Sequence, residues 1–236
     1  LFRSRNKPAM CAANVVDYEA LLGLLYEGAL EPQPFASALP ALRETIDAQV
    51  VSLVLRPPSK DDRGLILNSV RPDPQQADPG TANDWRLTAY REEFFALDPF
   101  VNLPPDQVVT LEELVPDEAL MASDYYLHYL EPVQLFRILG VDTQDPGGML
   151  ARLRFSRRRE EPQFSPADRE LLTRLTPHLN RAIRIYARLG RTSSERDLYA
   201  GAVEQLAVAS IVLDEQARLL SANAPAKSLL EQGDRK

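Results

Sequence analysis

Trp85, Tyr90, Phe94 and Phe95 form one aromatic cluster of the sequence, and Tyr125, Tyr126 and Tyr129, with His128 among them, form a second. Rings of this kind bind rather than cut. They offer flat apolar walls, and the tyrosine hydroxyls and the indole N–H add polar groups that orient a ligand. These eight residues are the candidate ligand site; the competing reading is that the rings fill the core of the domain. No machinery for bond breaking accompanies them. His128 and His178 are the only histidines, and neither completes a metal-binding pattern. Gly-x-Ser-x-Gly elbows and Gly-x-x-x-x-Gly-Lys loops are missing from the sequence, so neither an activated nucleophile nor a phosphate cradle is expected. The acidic pairs Glu92-Glu93, Glu112-Glu113 and Glu160-Glu161 are adjacent, which sends their side chains apart on a helix or strand. The chain is expected to be no enzyme and to hold no metal or cofactor. A polar cleft around His128 and Asp124 would be the mark of the opposite.

The elements that must position these residues are mixed. Asp17 is placed to cap a helix with Tyr18, Leu21, Leu22 and Leu25 on its apolar face, ended by Gly28 and Pro32. A second helix follows, with Pro34 in its first turn, Phe35, Leu39, Leu42 and Ile46 on one face, and a kink at Pro40. Gln49 to Leu55 and Gly64 to Val70 read as a hairpin. Residues 71–83 have turn composition and no period, so they read as a loop. Val108 to Leu114 reads as a strand, Ala119 to Leu130 as a helix, and Leu135 to Val141 with Met149 to Phe155 as a second hairpin closed near Asp145 to Gly148. A sheet under such helices can enclose a cavity floored by Val51, Leu53 and Leu55 or by their alternates. Period alone leaves that parity open.

Leu172, Leu175, Leu179, Ala182, Tyr186 and Leu189 recur at three and four residues, the seam of a long helix and the candidate dimer interface. Ser165, Pro166 and Asp168 supply its start: a capping box with proline in the first turn. The terminal helix of such a domain also packs on its own sheet, so the seam is expected to serve both contacts. Gly190 and Thr192 to Ser194 weaken the helix, which makes a break near 190–194 a candidate hinge. Arg174, Arg181, Arg184, Arg188 and Arg191 lie along it, and Arg152, Arg154 and Arg157 to Arg159 precede it. Both sets read as solvated faces balanced by carboxylates, including those of a partner chain. Beyond the helix, Ala209 to Val212 and Arg218 to Ser221 alternate as short strands before another short helix.

Composition bounds the remaining possibilities. The 236 residues are 44% hydrophobic and 26% charged, enough for one full core and part of a second. A formal charge of −7 argues against the whole chain seeking phosphate backbones or an anionic membrane. Cys11 is the only cysteine, so no internal disulfide can form and a reducing cytoplasm is the expected setting. No apolar run approaches the about 18 residues of a membrane span.

Leu21 to Leu30, Phe94-Phe95 with Asp98-Pro99, Tyr125 to Tyr129, Gly147-Gly148 and above all Phe164 to Leu189 carry a family likeness. They resemble the N-terminal regions of LuxR-type helix-turn-helix transcriptional regulators. The resemblance implies an α+β fold in three parts. A GAF-like antiparallel sheet with flanking helices would occupy 14–164, a connecting and dimerisation helix 165–207, and the start of a PAS-like module 208–236. Ile211 to Leu230 carries that last part, which is expected to be cut off at Lys236. The resemblance also implies a homodimer that senses a small molecule or partner. The signal would reach DNA only through a C-terminal helix-turn-helix domain not contained in these residues. The alternatives are a ligand-free protein–protein interaction module and, last, an enzyme of unassigned type.

Overall fold

The computed structural model describes residues 18–59, 64–72, 97–101, 103–204, 209, 211–213, 215–216 and 218–233. The chain divides into two units, Leu1–Ile185 and Tyr186–Lys236. The first unit carries helices α1 Tyr18–Gly28, α2 Ala38–Thr45, α3 Leu111–Leu114 and α4 Asp117–Met121, and the first half, to Ile185, of α5 Pro166–Glu204. Its sheet is built from β1 Val50–Arg56, β2 Leu65–Val70, β3 Val109–Thr110, β4 Arg137–Gln144 and β5 Leu150–Arg157. The strand order is β2-β1-β5-β4-β3, and every neighbouring pair is antiparallel. This is the α+β, GAF-like arrangement of a single sheet with flanking helices, and both expected hairpins are in it. Gly64 enters β2 with φ +71°, and a Cβ there would lie 2.2 Å from the Leu55 carbonyl oxygen. Only glycine fits.

Register resolves the parity that the sequence leaves open. Val51, Leu53 and Leu55 of β1 share a face with Ala151, Leu153 and Phe155 of β5 and with Leu139 and Val141 of β4, and all are buried. Helices cover this face. Arg43 of α2 donates to Ser69 of β2 at 3.2 Å, and Asn180 of α5 donates to Thr143 of β4 at 2.7 Å. The alternates of β1, Ser52 and Val54, therefore point to the opposite, outer face, because side chains alternate along a strand.

Several elements differ from expectation for identifiable reasons. The second helix starts at Ala38 rather than near Pro34, and buried Phe35 precedes it with φ +58°. Pro40 is then the third helical residue. A missing N–H costs nothing at a position without an intrahelical acceptor, so no interior kink follows. The strand expected over Val108 to Leu114 shrinks to the two residues of β3, because Thr110 caps α3 and its N–H donates to Glu113 at 2.8 Å. The helix expected over Ala119 to Leu130 is split. Ser123 donates to the Leu120 carbonyl at 2.6 Å and accepts the Tyr126 N–H at 3.2 Å, and the chain resumes as a π-helical turn, Tyr126–Leu130. A serine that hydrogen-bonds the local backbone in this way competes with the regular ladder.

The long helix begins as its residues foretell. Ser165 accepts the Asp168 N–H at 3.1 Å and its own N–H donates to Asp168 at 2.8 Å, the reciprocal box that satisfies two terminal donors. Leu172, Leu175, Leu179, Ala182 and Ile183 are buried. The break expected near 190–194 is not present: α5 runs unbroken past Pro177 and Gly190. Thr176 and Thr192 donate to the carbonyls four residues back, of Leu172 and Arg188. Weak local propensity lowers the stability of this stretch without interrupting it. In the second unit, β6 Ile211–Leu213 pairs antiparallel with β7 Leu219–Ala222, with a register shift between Val212 and Leu213. Asn223 caps the following α6, Ala224–Gly233, by accepting the Ala226 N–H at 3.1 Å. Among the described residues no helix is long and apolar enough to cross a membrane.

Removing the cap of α5 by Ser165→Ala should cost about 1 kcal/mol in urea unfolding. A second prediction concerns acid. The Thr110 N–H first, and then the Arg169 side chain, hold the Glu113 carboxylate below its ordinary value of 4.5. A folded-state pKa below the unfolded one stabilises the fold above the ordinary value and loses that effect as pH falls through the lower, folded value. Melting temperatures of the native chain and of Glu113→Gln should differ at neutral pH and converge as the carboxylate protonates.

Candidate functional site

The outer face of the sheet is where polar chemistry collects. Asn68 of β2, Ser52 of β1, Arg154 of β5, Gly140 of β4 and Val109 of β3 stand opposite one another in a single row across all five strands. The next row is Ile66, Val54, Arg152 and Asp142. Each of these strands also carries apolar residues on the helix-covered face, so the same segments are greasy on one side and charged on the other.

Charge here is buried. Asp142 is 3% exposed and Arg152 7%, a depth at which an unpaired carboxylate or guanidinium would be costly. Asp142 is held from two sides. Arg152 Nε lies 3.3 Å from one carboxylate oxygen, and Arg154 Nη2 donates to the other at 2.5 Å. Arg154 is fixed further by donating to the Val141 and Leu153 carbonyls at 3.0 and 3.1 Å, and its guanidinium carbon lies 4.5 Å from the centre of the Phe100 ring. Gly140 makes room for it. A Cβ at that position would lie 2.7 Å from Arg154 Cδ and 3.0 Å from Nε, so any larger residue would displace the arginine. Beside this set, the Asn68 carboxamide oxygen is enclosed and accepts no hydrogen bond. A buried polar atom left in that condition calls for an explanation.

Phe100, Val109, Leu111, Leu120, Tyr125, Leu130, Phe136 and Ile138 form a core at one end of this face, with Tyr126 and Tyr129 packed against it. Tyr126 meets Phe136 edge-on at 5.7 Å, and Tyr125 lies 5.4 Å from Tyr129. Of the candidate ligand residues, then, Tyr125 fills core, while Tyr126 and Tyr129 are half-buried at its margin. His128 stands apart from them. It is exposed, with Nδ1 3.3 Å from the Asp124 carbonyl oxygen, and the wide turn that buries Tyr125 and Leu130 turns it to solvent. Nor does it form a cleft with Asp124, whose side chain is 76% exposed. Trp85, Tyr90, Phe94 and Phe95 lie outside the described residues. Among the described residues no group of three or more His, Cys, Asp or Glu is placed to hold a metal ion.

The candidate dimer seam also separates into parts. Leu172, Leu175, Leu179 and Ala182 are at most 2% exposed, so these four are consumed by packing within the chain and are closed to a partner. Tyr186 is half-buried, and Leu189 is 48% exposed. The residues that sequence reasoning missed are Ser52, Asn68, Gly140, Asp142, Arg152 and Arg154. One signal was available: Arg152, Arg154 and Ser156 alternate with Ala151, Leu153 and Phe155, which marks a strand whose polar side is not a loop.

No family model and no curated protein matches this chain. Among solved structures it is similar to the ligand-binding domain of VqsR from Pseudomonas aeruginosa, with a TM-score of 0.52 and 15% identity over 72% of this chain and 96% of that one. A GAF domain from Synechocystis gives a TM-score of 0.46 at 15% identity, over 72% and 98% of the two chains. The N-acylhomoserine lactone dependent LuxR-family factor CepR2 from Burkholderia cenocepacia gives 0.45 at 13% identity, over 72% and 94%. The likeness to the VqsR domain is one of fold.

The buried charge set has a measurable signature. Asp142→Leu should destabilise the chain by about 3–5 kcal/mol in urea, because it leaves two guanidinium groups with less compensation. Adding Arg152→Met and Arg154→Met to that change should recover most of the loss, which a purely steric role for Asp142 would not allow.

Proposed function

We propose that this chain is the sensory region of a LuxR-type transcriptional regulator, cytoplasmic and homodimeric. In this reading a GAF-like domain takes a small-molecule effector on the outer face of its sheet, α5 transmits the change, and residues 208–236 open a PAS-like module. DNA is reached only through a further, helix-turn-helix domain. The observation that carries the reading is the polar row of the outer face: the enclosed Asn68 oxygen accepts no bond, in the same row as Arg154, which holds the buried Asp142. Such a surface suits a compound with its own donors better than a filled apolar core does. The family resemblance of Phe164 to Leu189 and the VqsR-like fold agree with it.

The connection to α5 supports transmission. Asp142 faces the effector side of β4, and its neighbour Thr143 faces the helix and accepts from Asn180. Arg157, at the end of β5, reaches Asp168 at 3.5 Å, and Arg169 pairs with Glu113 of α3. A compound that prefers one arrangement of β4 and β5 therefore biases the seating of α5. It can shift the equilibrium only by its difference in affinity for the two arrangements. No covalent step is needed.

One observation favours the rival, an effector-free interaction module: Tyr125 is fully packed into core rather than lining a cleft. Thermal unfolding against a metabolite library separates the two. Binding to the folded state adds about 2.7 kcal/mol at a hundredfold excess over the dissociation constant. The sensor reading expects at least one compound that raises the midpoint, and expects Asn68→Leu, still folded, to abolish that rise. A library without hits, or hits indifferent to Asn68→Leu, would favour the interaction module.

A further inference from the structure

Charge is segregated along this chain. From Asp98 to Gln134 the sequence holds eight carboxylates and no lysine or arginine, whereas from Leu171 to Ser194 it holds five arginines and no carboxylate. Arg181, Arg184, Arg188 and Arg191 follow one another at three, four and three residues along α5, so they share one side of the helix, and all four are exposed. Among the described residues none of them has an ion-pair partner. Beside this stripe Ile185 and Leu189 are 37% and 48% exposed. The acidic stretch has matching features: Asp117, Glu118, Asp124 and Glu131 are exposed, with Leu127, 42% exposed, among them. Among the described residues no lysine or arginine forms an ion pair with these four, and His128 Nδ1 lies 3.9 Å from Asp124.

Arg181 and Arg184 lie in the first unit, as does the acidic stretch. Arg169, at the start of α5, bonds Glu113 and the Val108 carbonyl, and Thr143 joins Asn180 of α5 to Asp106. The acidic stretch thus begins along the flank of the helix that carries the arginines. Two such helices laid stripe to stripe would oppose arginine to arginine with no carboxylate between them. Adjacent patches of opposite sign instead meet reciprocally across a twofold axis, each basic patch on the partner's acidic one. We infer that two copies of this chain associate by laying Arg181 and Arg184 of α5 on the acidic surface of residues 117–131 of the other copy, with Ile185 and Leu127 adding apolar contact. The inference rests on the homodimer of the proposed function and gives it a contact that the buried seam leucines do not supply.

The test is self-association of the whole chain by sedimentation velocity, with folding of each variant checked by thermal melting. Arg181→Glu with Arg184→Glu, and separately Glu118→Lys with Asp124→Lys, should each weaken association by about tenfold or more. The first pair makes the chain more negative and the second less, so general repulsion cannot account for both losses. An equimolar mixture of the two variants should recover association to within about threefold of the native chain, because each reversed patch then meets its complement. Native association in either variant, or no recovery on mixing, overturns the inference and leaves the homodimer standing on another surface. A chain that stays monomeric to about 100 μM overturns the inference and the homodimer together, while the effector reading is judged by its own unfolding experiment. A labelled DNA duplex that binds the native chain but not the arginine variant, with self-association unchanged, reassigns the stripe to nucleic acid and equally overturns it.

Discussion

Asp142 sits in the middle of β4 between two arginines of β5, and the outer face of the sheet is organised by keeping that charge set buried. A carboxylate at 3% exposure persists only if its partners are held in place. Arg154 is held by two backbone carbonyls and by the Phe100 ring, and the bare backbone of Gly140 leaves it the space. Phe100 in turn belongs to the core that contains Tyr125 and Phe136. One ion set therefore ties the edge of the Phe100 core, the central strands and the polar row into a single arrangement.

The opposite face of the same strands carries the mechanical consequence. Residues that alternate with the charge set are the leucines, valines and Phe155 under the helices, and Thr143 and Arg157 among them bond directly to α5 or its first turn. A sheet only one residue thick separates a polar face from the helix that leaves the domain. Because packed interiors deform little, a shift on one face is felt on the other. The helix itself runs without a break from Pro166 to Glu204.

Much of this was legible in the sequence, and what was not has physical reasons. Period two gave both hairpins, and Ser165 with Asp168 gave the start of α5, because local hydrogen bonding decides those features. Thr110 with Glu113 carries the same cap signature within an apolar run, where strand composition hid it. Gly190 and Ser194 suggested a break that intrahelical bonding absorbed. Parity was undecidable for β1 by itself, since Val50, Val51 and Val54 occupy both faces; it took the register with β5 to show that Ser52 belongs with Arg154. Arg152 and Arg154 read as solvated charges because their partner, Asp142, is ten and twelve positions away and only strand pairing brings it near. A seam at helical spacing likewise does not say which partner covers it, and here Leu172, Leu175 and Leu179 are buried within the chain itself.

The proposed function couples an effector on the outer face to the transmitting helix. Hydrogen exchange on the native chain tests it most directly, measured with and without a compound that raises its unfolding midpoint. Coupling should slow exchange in two separated places, the strands β4 and β5 that carry Asp142 and Arg154 and the stretch of α5 from Pro166 to Ile185 packed behind them. Protection confined to the second unit, or protection of the strands with α5 unchanged, would contradict it.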